Sequence, residues 1–284
     1  MNSTLTGHFA AQNTRPVTAN QSWRRRLLIG LVVGYVAVLI LAPIVRLIYG
    51  ALEKGVAPVL QTIADPEVLQ SFQLTLWIAV IALVVHASCG TLVAWVLVRH
   101  RFPGRKLLNG LIDLPFAISA VVVGYMLLLL FGRNGLLAPL LTALNLKVAF
   151  AVPGMILATL FVTMPFMVRE LIPVLEAFGT QQERAAATLG ASGWQTFRFV
   201  TFPAIRWGFI YGLTLTFARA LGEFGAVLVI GGGIQGRTET ATLFIYRALD
   251  ERQYVGAYSA ALVLGLFSLA LVMGADFLRR RGKL

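Results

Sequence analysis

Long runs of apolar residues, separated by shorter polar segments, follow one another along most of the chain. Six of these runs cover residues 27–48, 74–98, 107–131, 151–168, 207–230 and 255–278. A run of about 20 residues matches the helix length that crosses the hydrocarbon core of a bilayer. The pattern therefore predicts an all-α polytopic membrane protein with six transmembrane helices in one domain, residues 24–284. The polar residues 1–23 are expected to form a disordered cytoplasmic tail.

Composition supports this class and excludes others. Of the 284 residues, 58% are hydrophobic and only 13% are charged, too few to cover a soluble protein of this length. The single cysteine excludes a disulfide scaffold. With the N-terminus in the cytoplasm, sixteen Lys and Arg fall on inner segments and six on outer loops. The positive-inside rule then predicts that both termini are cytoplasmic, and the net charge of +12 reflects topology rather than nucleic-acid binding.

The one sizeable loop on the predicted cytoplasmic side, residues 169–206, carries the signals of a helical hairpin. Thr180 and Glu183 have the spacing of a capping box, in which each side chain binds a free backbone amide of the other, so a helix is expected to begin there. Alanines follow, and Gly190 suits the left-handed position that ends a helix. The loop is therefore expected to contain a short helix with a small-residue surface.

A second capping box, Ser192 with Gln195, predicts a second short helix, which Pro203 should kink or stop. Together the two helices form a compact hairpin at the membrane surface. Its small side chains would let another protein approach the backbone closely. The residues alone leave two interpretations open: a docking site for a partner, or a surface hairpin that only connects two spans.

The hairpin resembles the EAA loop of ABC importer permeases, whose pattern is Glu-Ala-Ala, three residues, Gly, nine residues, Ile-x-Leu-Pro. The matching residues are Ala185, Ala186, Gly190 and Pro203, with Val200 and Phe202 replacing Ile and Leu. Arg184 occupies the Glu position, and Glu183 stands one residue earlier. By this resemblance the residues that couple the chain to an ATPase are Glu183, Arg184, Ala185, Ala186, Gly190, Ser192, Val200 and Pro203.

Longer phrases, such as DLPFAIS from Asp113 and LGASGWQTFRFVTFPAIRW from Leu189, resemble the sulfate/thiosulfate importer permeases, and most of all their W-type subunit. The resemblance implies a type I ABC permease (MetI-like) core over residues 60–278 with the first span as an added N-terminal helix. It also implies a multi-pass location in the bacterial cytoplasmic (inner) membrane.

The source of energy follows from an absent motif. No Gly-x-x-x-x-Gly-Lys-Ser/Thr phosphate loop occurs, so the chain is not expected to bind ATP or to be an enzyme by itself. The resemblance implies that ATP and Mg²⁺ are bound by two copies of a cytoplasmic ATPase subunit. It further implies a sister permease, giving a heterodimer, and a periplasmic sulfate/thiosulfate-binding protein.

Small residues recur every four positions along span five, at Gly208, Gly212, Thr216 and Ala220. Such a stripe serves close helix packing or lines a narrow path. A hydrated dianion would need hydrogen-bond donors along that path, and the Thr216 hydroxyl is one. Packing is the preferred interpretation.

Further along span five, Arg219 and Glu223 are four residues apart and lie on one face. Ionisable groups within a span point to function or to a specific partner. The two residues are interpreted as a gate of the path or as a structural pair, joined to each other or to another helix. Gly222 and Gly225 beside them give the outer end of the span backbone freedom.

Other functions find less support. His86 and Cys89 have no partners at metal-ligand spacing, no catalytic constellation is visible, and Asp113 is expected to pair with a base from the inner loops. A permease for molybdate, tungstate or phosphate, and an ATP-independent carrier or channel, remain as alternatives. A membrane-embedded enzyme ranks last.

Overall fold

The computed structural model describes residues 19–281, which form fourteen α-helices. In chain order they are α1 (Ala19–Leu52), α2 (Ala57–Ala64), α3 (Pro66–Val85), α4 (Thr91–Arg99), α5 (Arg105–Ala117), α6 (Ala120–Phe131), α7 (Ala138–Ala143), α8 (Val152–Phe178), α9 (Gln181–Thr188), α10 (Gly193–Thr196), α11 (Phe202–Leu221), α12 (Gly225–Gly231), α13 (Ala241–Asp250) and α14 (Tyr254–Arg281). Two π-helical turns join helices directly, His86–Gly90 between α3 and α4 and Phe197–Thr201 between α10 and α11.

The chain divides into two compact units, residues 1–49 and 50–284. The first contains most of α1, whose most apolar stretch has a mean hydropathy of 2.8. This helix begins at Ala19, inside the segment expected to be a disordered tail. The rest of that predicted tail, residues 1–18, lies outside the described residues.

Within residues 19–281, four helical stretches are long and apolar enough to cross a membrane, and two bent helix pairs raise the number to as many as six. The six predicted runs correspond to these elements. The third and fifth are not straight, however, because α5 and α6 meet at 115° and α11 and α12 at 55°. In addition, α8 continues to Phe178 and α11 begins at Phe202. The predicted loop of residues 169–206 therefore contains the last turns of α8 and the first turn of α11 as well as the segment 179–201 between them.

Helix α8 is the centre of the second unit, where it packs against α3, α4, α5, α11 and α12. Gly208 and Gly212, the first two residues of the stripe on α11, face it. A Cβ atom at Gly208 would lie 2.7 Å from the Val174 side chain, and one at Gly212 would lie 3.0 Å from the Met167 sulfur. These contacts confirm the packing interpretation of the stripe, since only glycine permits so close an approach.

Candidate functional site

The hairpin between α8 and α11 contains the two predicted helices, α9 and α10. Gly190 lies between them with a φ of 86°, the left-handed conformation predicted for it. The capping box of the second helix is confirmed: the Ser192 amide donates to the Gln195 side-chain oxygen at 2.8 Å, and the Gln195 amide donates to the Ser192 hydroxyl at 3.3 Å. The turn and the start of α10 are thus fixed by local chemistry.

The capping box predicted for the first helix is wrong. Helix α9 does begin after Thr180, but the Thr180 side chain makes no capping hydrogen bond. The Glu183 carboxylate instead forms an ion pair with Arg99 at the end of α4, with Nε 2.9 Å from Oε2. Both side chains are largely buried, at 7% exposure for Arg99 and 16% for Glu183. The Glu183 carboxylate binds the Arg99 guanidinium rather than the Thr180 backbone amide, because a buried charge is stabilised more by an opposite charge than by a neutral donor.

The Arg99 guanidinium contacts the end of α8 as well as Glu183. It donates to the carbonyl oxygens of Leu175 at 3.2 Å and Gly179 at 2.7 Å, which belong to the last turn and the end of α8. The same Glu183 carboxylate also accepts from the Thr201 hydroxyl at 2.8 Å. We call Arg99, Glu183 and Thr201 the anchor triad. It ties both arms of the hairpin to the ends of α4 and α8.

Sequence reasoning missed the anchor triad because its members are far apart along the chain. Arg99 and Glu183 are separated by 84 residues, and no local pattern joins them. One feature of the sequence did point to it: Glu183 is an acidic residue among the many Lys and Arg of the predicted cytoplasmic segments, so an ion pair with one of these bases was to be expected.

The second arm of the hairpin runs directly into the membrane helix. The chain passes from α10 through the π-helical turn to α11, and Pro203 lies in the first turn of α11. Of the two effects expected of Pro203, a kink or a stop, the stop is therefore wrong, because the helix continues through this residue. A proline in the first turn lacks only an amide that has no helical partner there. Val200, at the family Ile position, is half-buried in the turn.

The outer surface of the hairpin is unusually apolar for an exposed element. Leu189 is 88% exposed, and Trp194 and Phe199 are each 68% exposed. Beside them Arg184 and Ala185 are exposed, whereas Ala186 is half-buried. Among the described residues Arg184 takes part in no ion pair. The hairpin therefore presents a surface of large apolar side chains, small alanines and a free positive charge.

A second cluster lies where α11 ends and α12 begins. Arg219 and Glu223 form an ion pair with Nη1 2.8 Å from Oε2, so they pair with each other. The Glu223 side chain is only 2% exposed, and its other oxygen accepts from the Ala226 amide at 3.1 Å in the first turn of α12. A carboxylate at the start of one helix and a guanidinium in the last turn of another both suit the helix dipoles.

The remaining residues of span five have packing roles in this unit. The Thr216 side chain is fully buried and donates to the Gly212 carbonyl at 2.8 Å. A Cβ atom at Gly225 would lie 3.1 Å from the Val121 side chain of α6, whereas one at Gly222 would meet only the backbone oxygens of Ala218 and Arg219, at 3.9 and 4.0 Å. Gly225 thus allows α6 and α12 to approach each other.

Three other residues singled out from the sequence have clear partners or surroundings. Asp113 accepts two hydrogen bonds of 2.6 Å from Arg169, as the prediction of a basic partner required. His86 is buried, with Nε2 3.0 Å from the Thr163 hydroxyl. Cys89 is exposed and free. No cluster of metal-ligating side chains occurs within residues 19–281.

At the end of the bundle opposite the hairpin, Arg247 binds three carboxylates. It pairs with Glu239 at 2.6 Å, with Glu251 at 3.2 Å and also with Glu67. The hydrogen bond with Glu239 raises the pKa of the guanidinium further above its ordinary value, against the effect of burial. This network joins the start of α3 to the segment around α13.

Comparison with known proteins gives consistent matches. Residues 86–281 match the family described as "Binding-protein-dependent transport system inner membrane component". The chain is 45% identical over 269 residues to the sulfate transport system permease protein CysW of Escherichia coli strain K12, covering 95% of this chain and 91% of that protein. It is 47% identical over 255 residues to the chloroplastic sulfate permease 2 of Chlamydomonas reinhardtii, covering 90% and 69%.

Solved structures share the same arrangement of helices. A bacterial ABC transporter that imports the acidic polysaccharide alginate matches with a TM-score of 0.76 at 18% identity, over 92% of this chain and 96% of that chain. The alginate transporter in complex with an alginate pentasaccharide-bound periplasmic protein matches with a TM-score of 0.74 at 18% identity, over 94% and 98%. At this level of sequence identity, the structural similarity is evidence for a shared fold only.

Proposed function

The chain belongs to the family of binding-protein-dependent transport system inner membrane components, and we propose that it is the permease subunit of an ATP-driven importer for sulfate or thiosulfate. It has the ABC permease fold and is an integral membrane protein. The observation that carries the substrate class is the identity of 44–47% to proteins named as sulfate permeases over about 90% of the chain.

The importer contains further subunits. In this proposal two copies of a cytoplasmic ATPase subunit bind ATP and Mg²⁺, so the permease chain itself holds no cofactor and hydrolyses nothing. A sister permease completes a heterodimer, and a periplasmic binding protein delivers the anion. The complex lies in the bacterial inner membrane with both termini of this chain in the cytoplasm, which agrees with the excess of Lys and Arg on the hairpin side.

The hairpin is the proposed contact with the ATPase. Its exposed Leu189, Trp194 and Phe199 form an apolar surface that a partner would cover. The anchor triad holds this surface against α4 and α8, and the π-helical turn connects it to α11. Closure of the ATPase subunits on ATP would therefore move these three helices with the hairpin and switch access to the path between the two faces.

Arg219, Glu223 and the glycines beside them, Gly222 and Gly225, are the proposed gate. Thr216 remains a proposed path residue only in a state in which α11 separates from a neighbouring helix, because its side chain is fully buried. The ion pair holds the two half-helices together, and its opening would change the 55° bend.

The proposal is tested in proteoliposomes that contain this chain, its sister permease and the ATPase, with the binding protein outside. We expect uptake of radiolabelled sulfate that requires ATP and is competed by thiosulfate. Uptake without ATP would establish the carrier or channel alternative. If molybdate or phosphate competed with sulfate uptake and thiosulfate did not, the substrate would be another oxyanion.

A paired substitution tests the coupling role of the hairpin. Gly190→Val should impair uptake relative to ATP hydrolysis, since a side chain in the left-handed conformation costs about 1–2 kcal/mol and distorts the turn. Gly193→Val is the matched control, because Gly193 also has open space but has no positive φ. Normal coupled uptake in the Gly190 variant at normal expression would contradict the role.

A further inference from the structure

A groove of about 680 Å³ opens at the hairpin end of the bundle, beside the anchor triad. It lies where the end of α4, the start of α5 and the last turns of α8 meet. Its size falls within the roughly 300–1,000 Å³ range of pockets that hold ligands of drug size. None of the proposed coupling or gate residues lines it.

The rim of the groove is basic. Arg101, Arg105 and Lys106 line it, and none of the three takes part in an ion pair within the part of the chain that the structure describes. Arg169 also lines the groove, but its charge is neutralised by Asp113. The only acidic residue of the lining is the exposed Glu176. Three bases against one acid leave an uncompensated positive charge.

The floor of the groove is apolar. It is formed chiefly by the half-buried Val98 and Ile172, with the buried Leu97 behind them. These residues belong to the membrane-spanning stretches Pro66–Arg99 and Val152–Phe178. The bases lie just beyond the end of the first of these stretches. The groove therefore passes from hydrocarbon depth at its floor to headgroup depth at its rim.

We infer that this groove binds one anionic phospholipid, with the phosphate held by Arg101, Arg105 and Lys106 and an acyl chain along Val98 and Ile172. Basic pockets between transmembrane helices hold anionic headgroups by charge, and the apolar floor adds contact with the chain. A free sulfate or phosphate would use the rim and leave the floor uncovered, so the combined surface fits a lipid better than an inorganic ion.

The test uses the purified full chain in nanodiscs of phosphatidylcholine with a minor fraction of phosphatidylglycerol. Native mass spectrometry then measures how much phosphatidylglycerol stays bound. We expect wild-type protein to retain it preferentially, and each base changed to Gln to lower the retained fraction about fivefold, since one Lys or Arg near an anionic surface contributes about 1 kcal/mol. Lys106→Gln alone tests this at an exposed position where folding is not at risk.

A matched control removes three exposed bases that lie outside the groove, Lys54, Arg237 and Arg252. Their change to Gln should leave phosphatidylglycerol retention as in the wild type. Equal retention by the Arg101, Arg105 and Lys106 triple variant and the wild type would overturn the inference, and so would an equal loss in the control.

Competition separates the lipid from a free anion. Inorganic phosphate, sulfate and glycerol 3-phosphate, each added at millimolar concentration, should not displace the bound phosphatidylglycerol. Displacement by any of them would identify a small-anion site and overturn the inference. If the triple variant kept its lipid but no longer copurified with the ATPase, the groove would be a protein contact, which would overturn it as well.

Discussion

Substitution of Arg99 by Met tests whether the anchor triad holds the hairpin in place. Removing one partner of a buried ion pair costs about 3–5 kcal/mol. The lower end applies, because Glu183 is 16% exposed and keeps the hydrogen bond from Thr201. The carbonyl oxygens of Leu175 and Gly179 also lose their donor. We therefore expect the hairpin to be destabilised locally by about 3 kcal/mol.

Hydrogen exchange measured by mass spectrometry gives the readout. A loss of about 3 kcal/mol corresponds to roughly a hundredfold faster exchange of the α9 amides, at 1.4 kcal/mol for each factor of ten. The matched control is Arg184→Met, which changes an exposed base on the same hairpin that has no ion pair. Exchange in α9 that is unchanged in Arg99→Met, or equal to that of the control, would refute the reasoning.

A double substitution separates the ion pair from the loss of a single charge. When Arg99 and Glu183 are both changed to Met, neither an unpaired guanidinium nor an unpaired carboxylate is left at this buried site. Exchange in α9 should then be slower than in Arg99→Met alone, since replacing both partners by apolar groups costs less than breaking the pair. Faster exchange in the double variant would mean that the carboxylate is stabilised without Arg99.

Three further variants test other parts of the second unit. Gly208→Val would clash with Val174 and should destabilise the purified chain by about 1–3 kcal/mol, which a thermal-shift assay would detect. The control Gly265→Val should be tolerated, because a side chain at Gly265 has open space. Equal shifts in melting temperature would contradict the packing of α11 on α8. Glu223→Gln keeps an acceptor for the first turn of α12, so it should lower the melting temperature less than Glu223→Leu, and the reverse order would argue against capping. Arg247→Met should speed chymotrypsin cleavage in α13, after Phe244 or Tyr246, because three carboxylates lose their shared base; unchanged cleavage would show that they do not need it.

Features that depend on neighbouring residues were predictable from the sequence. The Ser192 cap, the left-handed Gly190 and the small-residue stripe on α11 each follow from a few positions of one element. The apolar runs likewise located the spans, because their length is set by the bilayer rather than by other helices. These features required no knowledge of the tertiary arrangement.

Features that depend on distant residues were not predictable in the same way. Glu183 satisfied a local capping rule, yet its carboxylate pairs with Arg99, which only the packing of α4 beside α8 brings near. The 115° bend after Ala117 also escaped the hydropathy pattern, because an apolar run stays apolar whether its helix is straight or bent. Pro115 lies in that run, inside α5, and a proline can kink a helix, but the size of the bend depends on the packing of α6 against α12.

The direct passage from the hairpin into α11 has a mechanical consequence. With 20 residues, α11 is about 30 Å long, and no loop between it and the hairpin is available to absorb a displacement. A displacement of the hairpin at one surface of the bilayer therefore moves the whole of α11. The far end of this helix, at Gly222, lies close to the other surface. At Gly222 the chain bends by 55° between α11 and α12. This bend is the first place after the hairpin at which the displacement can change the angle between two helices.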